Sequence, residues 1–86
     1  MTKQDFMNLR LNDSVIIDGI CYKLVQLVDA THHEFESPMG KRITLYWTDN
    51  GQGNGPRIVD RVVPTINIDP QTIRIKKFDE TDNVAA

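Results

Sequence analysis

The strongest pattern of apolar and polar positions lies near the start of the chain, where two apolar runs flank a short polar pair. Residues 15–17 and 20–28 are rich in β-branched and aromatic side chains, and Asp18-Gly19 joins them. An Asp-Gly pair supplies the two positive φ angles of a type I′ turn, whose twist matches that of the strands it connects. The pattern therefore predicts a β-hairpin across residues 15–28.

The second run of this hairpin is apolar on both of its faces. One face carries Ile20, Tyr22, Leu24 and Val28, and the other carries Cys21, Val25 and Leu27. A strand that is covered on both sides suits a closed structure better than an open sheet with one solvated face. We therefore expect a compact barrel or roll.

Residues 42–48 predict another strand, because apolar and polar side chains alternate with a period of two. One face holds Ile43, Leu45 and Trp47, and the other holds Thr44, Tyr46 and Thr48. The period of two therefore places Ile43, Leu45 and Trp47 in the core.

Two later segments also predict strands. Residues 57–63 are largely apolar and end at Pro64, which cannot donate a hydrogen bond to a ladder. Residues 72–78 predict the closing strand, in which alternation places two residues inward and two outward. The inward pair is Ile73 and Ile75, and the outward pair is Arg74 and Lys76.

The remaining segments predict a short helix and connections. Thr2 and Asp5 resemble a capping box, which predicts a helix over residues 3–10. Residues 29–42 predict a connection with a short extended piece at 33–36. Glycine-rich residues 49–56 predict a mobile hairpin loop, and residues 67–70 predict a turn.

These elements together predict one mainly β domain over residues 1–78, with a short N-terminal helix. The expected architecture is a five- to six-stranded antiparallel barrel or roll that looks SH3-like, with an OB-like or other five-stranded roll as the alternative. Residues 79–86 are polar and acidic, which predicts a disordered tail.

Composition indicates the cellular compartment of the protein and excludes some classes of structure. The chain has 86 residues and a single cysteine, Cys21. One cysteine excludes an internal disulfide framework and a four-cysteine zinc site, and a free thiol suits a reducing compartment. The sequence shows neither the apolar core of a signal peptide nor an apolar run of about 20 residues, the length of a membrane span. We expect a cytoplasmic protein.

The residue types that carry catalysis lack the partners their chemistry needs. Cys21 with His32 or His33 as a base would need a third group to orient the histidine, and the sequence suggests none. A buried structural thiol is the expected role of Cys21. We therefore expect no enzyme activity and no catalytic residue.

Metal and cofactor sites are likewise not expected. His32, Glu34 and Glu36 share one side of an extended segment, but their spacing matches no metal signature, and a solvated polar segment is the expected outcome. The glycines at 51, 53 and 55 lack the Gly-Lys-Ser/Thr of a phosphate loop, and a strand rather than a helix follows them.

Charge is divided unevenly along the chain. Residues 40–78 hold seven Lys or Arg against three Asp or Glu, although the whole chain has a net charge of −2. Small barrels bind nucleic acid by combining a positive groove with aromatic platforms for the bases. Candidate binding residues in this half are Arg42, Tyr46, Trp47, Arg57, Arg61, Arg74 and Lys76.

The sequence favours a non-catalytic module that binds a partner protein through an exposed sheet face, a sheet edge or the long loops at 29–42 and 49–56. Small regulatory, accessory and phage-encoded inhibitor proteins have this profile. If exposed, Trp47 is expected in the binding surface together with Tyr46 and Arg57, because Trp, Tyr and Arg dominate such surfaces. Homodimerisation by edge pairing is part of this expectation. The alternative function is nucleic-acid binding by the basic strands of residues 41–77, provided that their charges converge beside Tyr46.

Overall fold

A single antiparallel sheet forms the body of the protein, as the two-residue alternation predicts. The computed structural model describes residues 1–53, 55–63 and 66–78. The elements are α1 (Lys3–Met7), β1 (Ser14–Ile17), β2 (Ile20–Asp29), β3 (His32–Glu36), β4 (Arg42–Thr48), a 3₁₀ turn (Gly51–Gly53), β5 (Arg57–Asp60), β6 (Asn67–Ile68), a second 3₁₀ turn (Pro70–Thr72) and β7 (Arg74–Lys76).

The strands lie in the order β6-β5-β4-β3-β2-β1-β7 and curl into a half-barrel. This confirms a small, mainly β fold with a short N-terminal helix, although it has seven strands rather than five or six. β6 and β7 each pair with one neighbour within the described ranges, so they form the two edges of the sheet. The expected closing strand, β7, therefore extends the sheet beside β1.

The two strongest sequence patterns are confirmed. Asp18 and Gly19 have φ angles of 51° and 79°, and Ile17 pairs with Ile20 across the turn, as a type I′ hairpin requires. In β4 the three residues expected to face inward, Ile43, Leu45 and Trp47, are all buried. A short stretch of sequence was sufficient to predict the structure in both places, because the Asp-Gly pair determines the turn and the alternation of β4 determines which face is buried.

The extended piece predicted at 33–36 is confirmed as strand β3, although it is a full strand of the sheet rather than part of a connection. Strand β3 lies between β2 and β4 in the middle of the sheet and pairs with both. Its inward residues are His33 and Phe35, which are 1% and 0% exposed. The histidine looked polar in the sequence, but a neutral imidazole packs as an aromatic ring.

Two further boundaries differ from the prediction. The predicted turn at 67–70 is wrong in its first half, because Asn67–Ile68 is strand β6 and the 3₁₀ turn begins at Pro70. Strand β5 ends at Asp60, since its carboxylate accepts a hydrogen bond from the N–H of Val62 and turns the chain. Pro64 and residues 79–86 lie outside the described residues.

The second strand of the hairpin is not covered on both faces along its whole length. Its register with β3 shifts between Leu24 and Gln26 and again between Leu27 and Asp29. Each β-bulge inserts an unpaired residue and reverses which side faces inward. Leu27 and Val28, which lie beside the second bulge, are exposed, contrary to the expectation that both faces are covered.

The helix α1 covers one end of the concave face. A capping box begins it: the N–H of Asp5 donates to the Thr2 hydroxyl oxygen over 3.1 Å, and the N–H of Thr2 donates to the Asp5 carboxylate over 2.9 Å. The helix ends at Met7 rather than at residue 10. Phe6 is fully buried and joins a core built mainly from Val15, Leu24, Phe35, Leu45, Ile58 and Ile73.

Three connections lie at the other end of the sheet, because adjacent antiparallel strands place alternate turns together. We call this end the turn end. It comprises the β1–β2 turn (18–19), the β3–β4 turn (37–41) and the residues beside the β5–β6 connection (61–63 and 66). Helix α1 and the β2–β3 turn lie at the opposite end. No helix in the described ranges has the length and apolar character needed to cross a membrane.

Candidate binding surface

Ten large apolar side chains are exposed among the described residues. Five of them, including the two most exposed, lie at the turn end, and the other five lie at the opposite end. Met39 is 93% exposed and Val62 is 79% exposed, and the group also includes Ile20, Val63 and Ile66. Single exposed apolar residues are common on protein surfaces, but several on neighbouring turns form a patch of the kind that marks interaction sites.

Local hydrogen bonds fix the turns that carry these side chains. In the β3–β4 turn the N–H of Ser37 donates to the Lys41 carbonyl over 2.9 Å, and Gly40 has a φ of 86°. Beside β5, the Asp60 carboxylate accepts from the N–H of Val62 over 2.8 Å. Met39 and Val62 therefore project from ordered backbone, which lowers the entropy lost when they bind a partner.

Two grooves run beside these turns and share Tyr22 and Lys41. The first, which we call the seam groove, has a volume of about 360 Å³. It lies between the β1–β2 hairpin and β6, with Ile17 on one wall and Ile68 on the other. Because the two grooves have residues in common, they form one continuous surface.

The second groove, which we call the flank groove, has a volume of about 510 Å³. It lies between the β1–β2 turn and the β3–β4 turn, and its lining includes Ile20, Cys21, Pro38 and Met39. Of the exposed apolar side chains of the turn end, Ile20, Met39 and Ile66 border this concave surface, the shape that receives anchor side chains from a partner.

The seam groove is the open half of the gap between the two edge strands. In the other half, the 3₁₀ turn Pro70–Thr72 crosses from β6 to β7. The N-terminal ammonium of Met1 donates a hydrogen bond to the Pro70 carbonyl over 3.0 Å and holds that turn in place. The half-barrel is consequently accessible from the turn end.

The aromatic residues named from the sequence do not form an open platform. Trp47 is only 8% exposed, and its indole N–H donates to the Asp49 carboxylate over 2.9 Å. Trp47 was expected in the binding surface only if its side chain was exposed, and the structure does not meet this condition. Tyr46 is half-buried on the outer face, where it stacks on His32 with ring centroids 5.1 Å apart.

The basic candidates are dispersed over the sheet. Arg42 pairs with Glu34 over 2.8 Å and with Glu36 over 3.4 Å, so carboxylates share the outer face around Tyr46. Arg57 lies at the end of β5 opposite to Arg61 and approaches Asp69 to 3.9 Å. The remaining candidates, Arg74 and Lys76, are the first and last residues of β7. Three strands separate β7 from β4.

This arrangement does not bring the basic candidates together. Tyr46 has two glutamates as well as an arginine on its own face, and the cations of β7 lie at the far edge of the sheet. A nucleic-acid groove needs a continuous positive path along the backbone of the ligand. The convergence on which the alternative function depended is therefore not met.

The histidines near the centre of the sheet face opposite ways. His32 lies on the outer face with Glu34 and Glu36, whereas His33 is buried, and its Nε2 lies 3.0 Å from the Phe6 carbonyl oxygen. Cys21 is half-buried in β2. Within the described ranges no group of three or more His, Cys, Asp or Glu side chains has the geometry of a metal site.

The glycine-rich connection is packed where it meets β5. A Cβ added to Gly51 would lie 2.6 Å from the Cβ of Arg57, so glycine is needed there for close approach. Its N–H donates to the Gly55 carbonyl over 2.8 Å. The Gly51 amide is thus occupied within the connection and is unavailable to cradle a phosphate.

Compared with family models, with curated proteins and with solved structures, the chain gives no significant match. We therefore infer the function from the residues of the turn end alone. Sequence reasoning did not select those residues. Met39, Val62 and Ile66 stand in connections, and only the strand order shows that their connections meet.

Proposed function

We propose that the protein is a non-catalytic interaction module that binds a partner protein through the turn end. The observation that carries the proposal is the group of exposed apolar residues on three neighbouring connections, bordering two joined apolar grooves. Apolar side chains on ordered turns, next to concave apolar surface, are the elements of a protein-binding hot spot.

The sheet edges support this assignment less well. β6 has two residues, and β7 has three, of which Arg74 and Lys76 are exposed. Short edges with outward cations resist pairing, because like charges meet when two such edges align. A homodimer by edge pairing is therefore the weaker arrangement.

A regulatory or accessory role in the cytoplasm is part of the proposal. The half-buried thiol of Cys21 lines the flank groove, where it stays available to solvent and oxidants. A thiol in that position persists best in a reducing compartment.

Site-specific photo-cross-linking in the source cell tests the proposal. A benzophenone amino acid would replace Met39 or Val62 in turn, with Leu27 and Val28 as matched controls, because they are exposed apolar residues at the opposite end. We expect one defined protein to be cross-linked from the first pair and not from the second. Its purified form must then bind the purified chain.

Other outcomes would overturn the proposal. Equal cross-linking from both ends, or none from Met39 and Val62, would show that the turn end does not bind a protein. Binding of the chain to lipid vesicles through these residues would assign the patch to a membrane surface. Light scattering that shows self-association through Met39 would assign it to a second copy.

A further inference from the structure

The seam groove contains a buried acid whose charge has no cation partner. Asp60 is 8% exposed and faces the inner side of the sheet, opposite Leu45. Its Oδ1 accepts hydrogen bonds from the N–H groups of Val62 and Val63, over 2.8 and 3.4 Å. Within the described part of the chain, no Lys, Arg or His forms an ion pair with it. By contrast, the buried Asp13 pairs with Lys77 over 2.9 Å.

Other acceptors line the same groove. Asp18 lies at the tip of the hairpin, is exposed, and forms no ion pair with the described residues. Asn67 also lines the groove, but its side-chain amide lies beside Gly51 rather than beside the acids. Asp69 also lines the groove, although Arg57 approaches it to 3.9 Å. Among the described residues of the lining, three carboxylates face one cation, Lys41, so the groove has an excess of negative charge.

The walls of the groove are aliphatic, and one wall is a sheet edge. Ile17, Ile66 and Ile68 lie around the acids, and Tyr22 lies at the junction with the flank groove. An extended segment that lies in the groove would run beside β6, and its alternate side chains would point towards the groove walls. A charged group in such an apolar setting is stabilised most by an opposite charge brought into contact with it.

We propose that the seam groove receives an extended aliphatic segment of the partner protein, and that a lysine or arginine of this segment pairs with Asp60 and Asp18. The inference rests on the proposed function and specifies the chemistry of the partner. The aliphatic side chains of the segment cover Ile17 and Ile68. Its basic group offsets the excess of negative charge in the groove.

The structure offers substitutions that remove the charges and preserve the backbone. Asp60→Asn keeps an oxygen that accepts from the N–H groups of Val62 and Val63. Asp18→Asn is compatible with the φ of 51°, because asparagine tolerates the left-handed region. Asp29→Asn is the matched control, since Asp29 caps the turn at the opposite end by accepting from the N–H of Thr31.

The experiment begins with a phage-displayed library of random dodecapeptides selected on the immobilised chain. The strongest peptide is synthesised with a fluorophore, and its affinity is measured by anisotropy for the wild type, Asp18→Asn/Asp60→Asn and Asp29→Asn. We expect selected peptides with aliphatic residues around a Lys or Arg. We also expect binding to weaken about tenfold or more in the double variant and to be unchanged in the control. Exchanging the basic residue for glutamine should remove this difference.

Three results would overturn the inference: peptides without a basic residue, peptides whose affinity is the same for the wild type and the double variant, or failure to select any peptide. Each is distinguishable from failure of the proposed function. If cross-linking from Met39 captures a partner while the double variant binds that partner normally, the turn end remains the binding surface and only the partner chemistry is wrong.

Discussion

The imidazole of His33 stacks on the ring of Phe6, with the ring centroids 4.6 Å apart and Nε2 3.0 Å from the Phe6 carbonyl oxygen. This contact joins helix α1 to the middle strand of the sheet. Nδ1 is buried and has no hydrogen-bond partner among the described residues. The neutral ring with its hydrogen on Nε2 fits this environment, because a proton on Nδ1 would have no acceptor.

Stability should therefore depend on pH through His33. Burial lowers the pKa of His33 below its ordinary value of 6.5, and the Phe6 carbonyl opposes this only partly. Below about pH 6.5 the unfolded chain takes up a proton that the folded chain resists. The free energy of unfolding should thus fall as the pH is lowered from about 6.5 towards the folded-state pKa, by at most about 1.4 kcal/mol per pH unit. Urea unfolding at a series of pH values measures this.

Two variants separate this effect from other titrations. His33→Phe retains a ring of similar size against Phe6 and should remove the extra loss of stability between pH 6.5 and 5. His32→Gln, on the outer face, should leave it in place. The same pH dependence in His33→Phe as in the wild type would assign the effect to another group.

Asp13 should be the most important acid for stability. Its carboxylate accepts hydrogen bonds from the Lys77 ammonium and from the N–H groups of Arg10 and Phe78, each over 2.9 Å. Asp13→Ala removes all three bonds at a buried position and should lower the free energy of unfolding by about 2 to 4 kcal/mol. Denaturant unfolding measures the loss.

The control for Asp13 is an exposed ion pair. Glu36→Ala leaves Arg42 paired with Glu34 and should change stability by about 0.5 kcal/mol or less. If Asp13→Ala lowered the free energy of unfolding equally little, the link between residues 77–78 and the α1–β1 connection would not contribute to the fold. Burial raises the pKa of Asp13, but the three hydrogen bonds outweigh it and the pKa lies below its ordinary value. This stabilisation should be lost only as the pH falls below about 4.

Gly51 should tolerate no side chain. A Cβ there would lie 2.6 Å from the Cβ of Arg57, so the backbone of β5 or of the connection has to move. Gly51→Ala should cost about 2 kcal/mol or more. Gly53→Ala meets open space, and only its φ of 77° should cost about 1 kcal/mol. Thermal unfolding of the two variants compares them, and a reversed order would contradict the packing described for Gly51.

Nucleic-acid binding should be weak. Because Arg42 is paired with two glutamates and the cations of β7 lie at the far edge of the sheet, residues 1–53, 55–63 and 66–78 offer no continuous positive path. At low salt we expect no binding of single- or double-stranded DNA or RNA tighter than the roughly 10⁻⁴ M of weak non-specific contacts. Micromolar binding that weakens steeply with added salt would restore the nucleic-acid hypothesis.

The parts of the fold that local pattern determines were predictable. The Asp18-Gly19 hairpin and the alternation of β4 each follow from a short stretch of sequence. The extended piece at 33–36 was predictable, but the central place of β3 in the sheet was not, because His33 looks polar until its burial against Phe6 is known. The exposure of Leu27 and Val28 also escaped prediction, since the two β-bulges of β2 leave no clear sequence signal and the sheet ends beside these residues.

The candidate site was largely beyond the sequence. Met39 and Val62 are isolated apolar residues in connections, and such residues are ordinary on a surface. Their proximity follows from strand order, which alternation alone does not determine. Trp47 and Arg57 attracted attention through residue type, but Trp47 is in the core and Arg57 lies away from the turn end.

The most direct measurement of the central claim is the affinity of the cross-linked partner for two matched double variants. Met39→Asp/Val62→Asp places charge on the turn end, and Leu27→Asp/Val28→Asp places it on exposed residues of the opposite end. With both variants shown to be folded, calorimetric titration should give at least about 100-fold weaker binding for the first, or about 2.7 kcal/mol, and nearly unchanged binding for the second. Equal affinities, or the larger loss in the second variant, would contradict the assignment of the turn end as the binding surface.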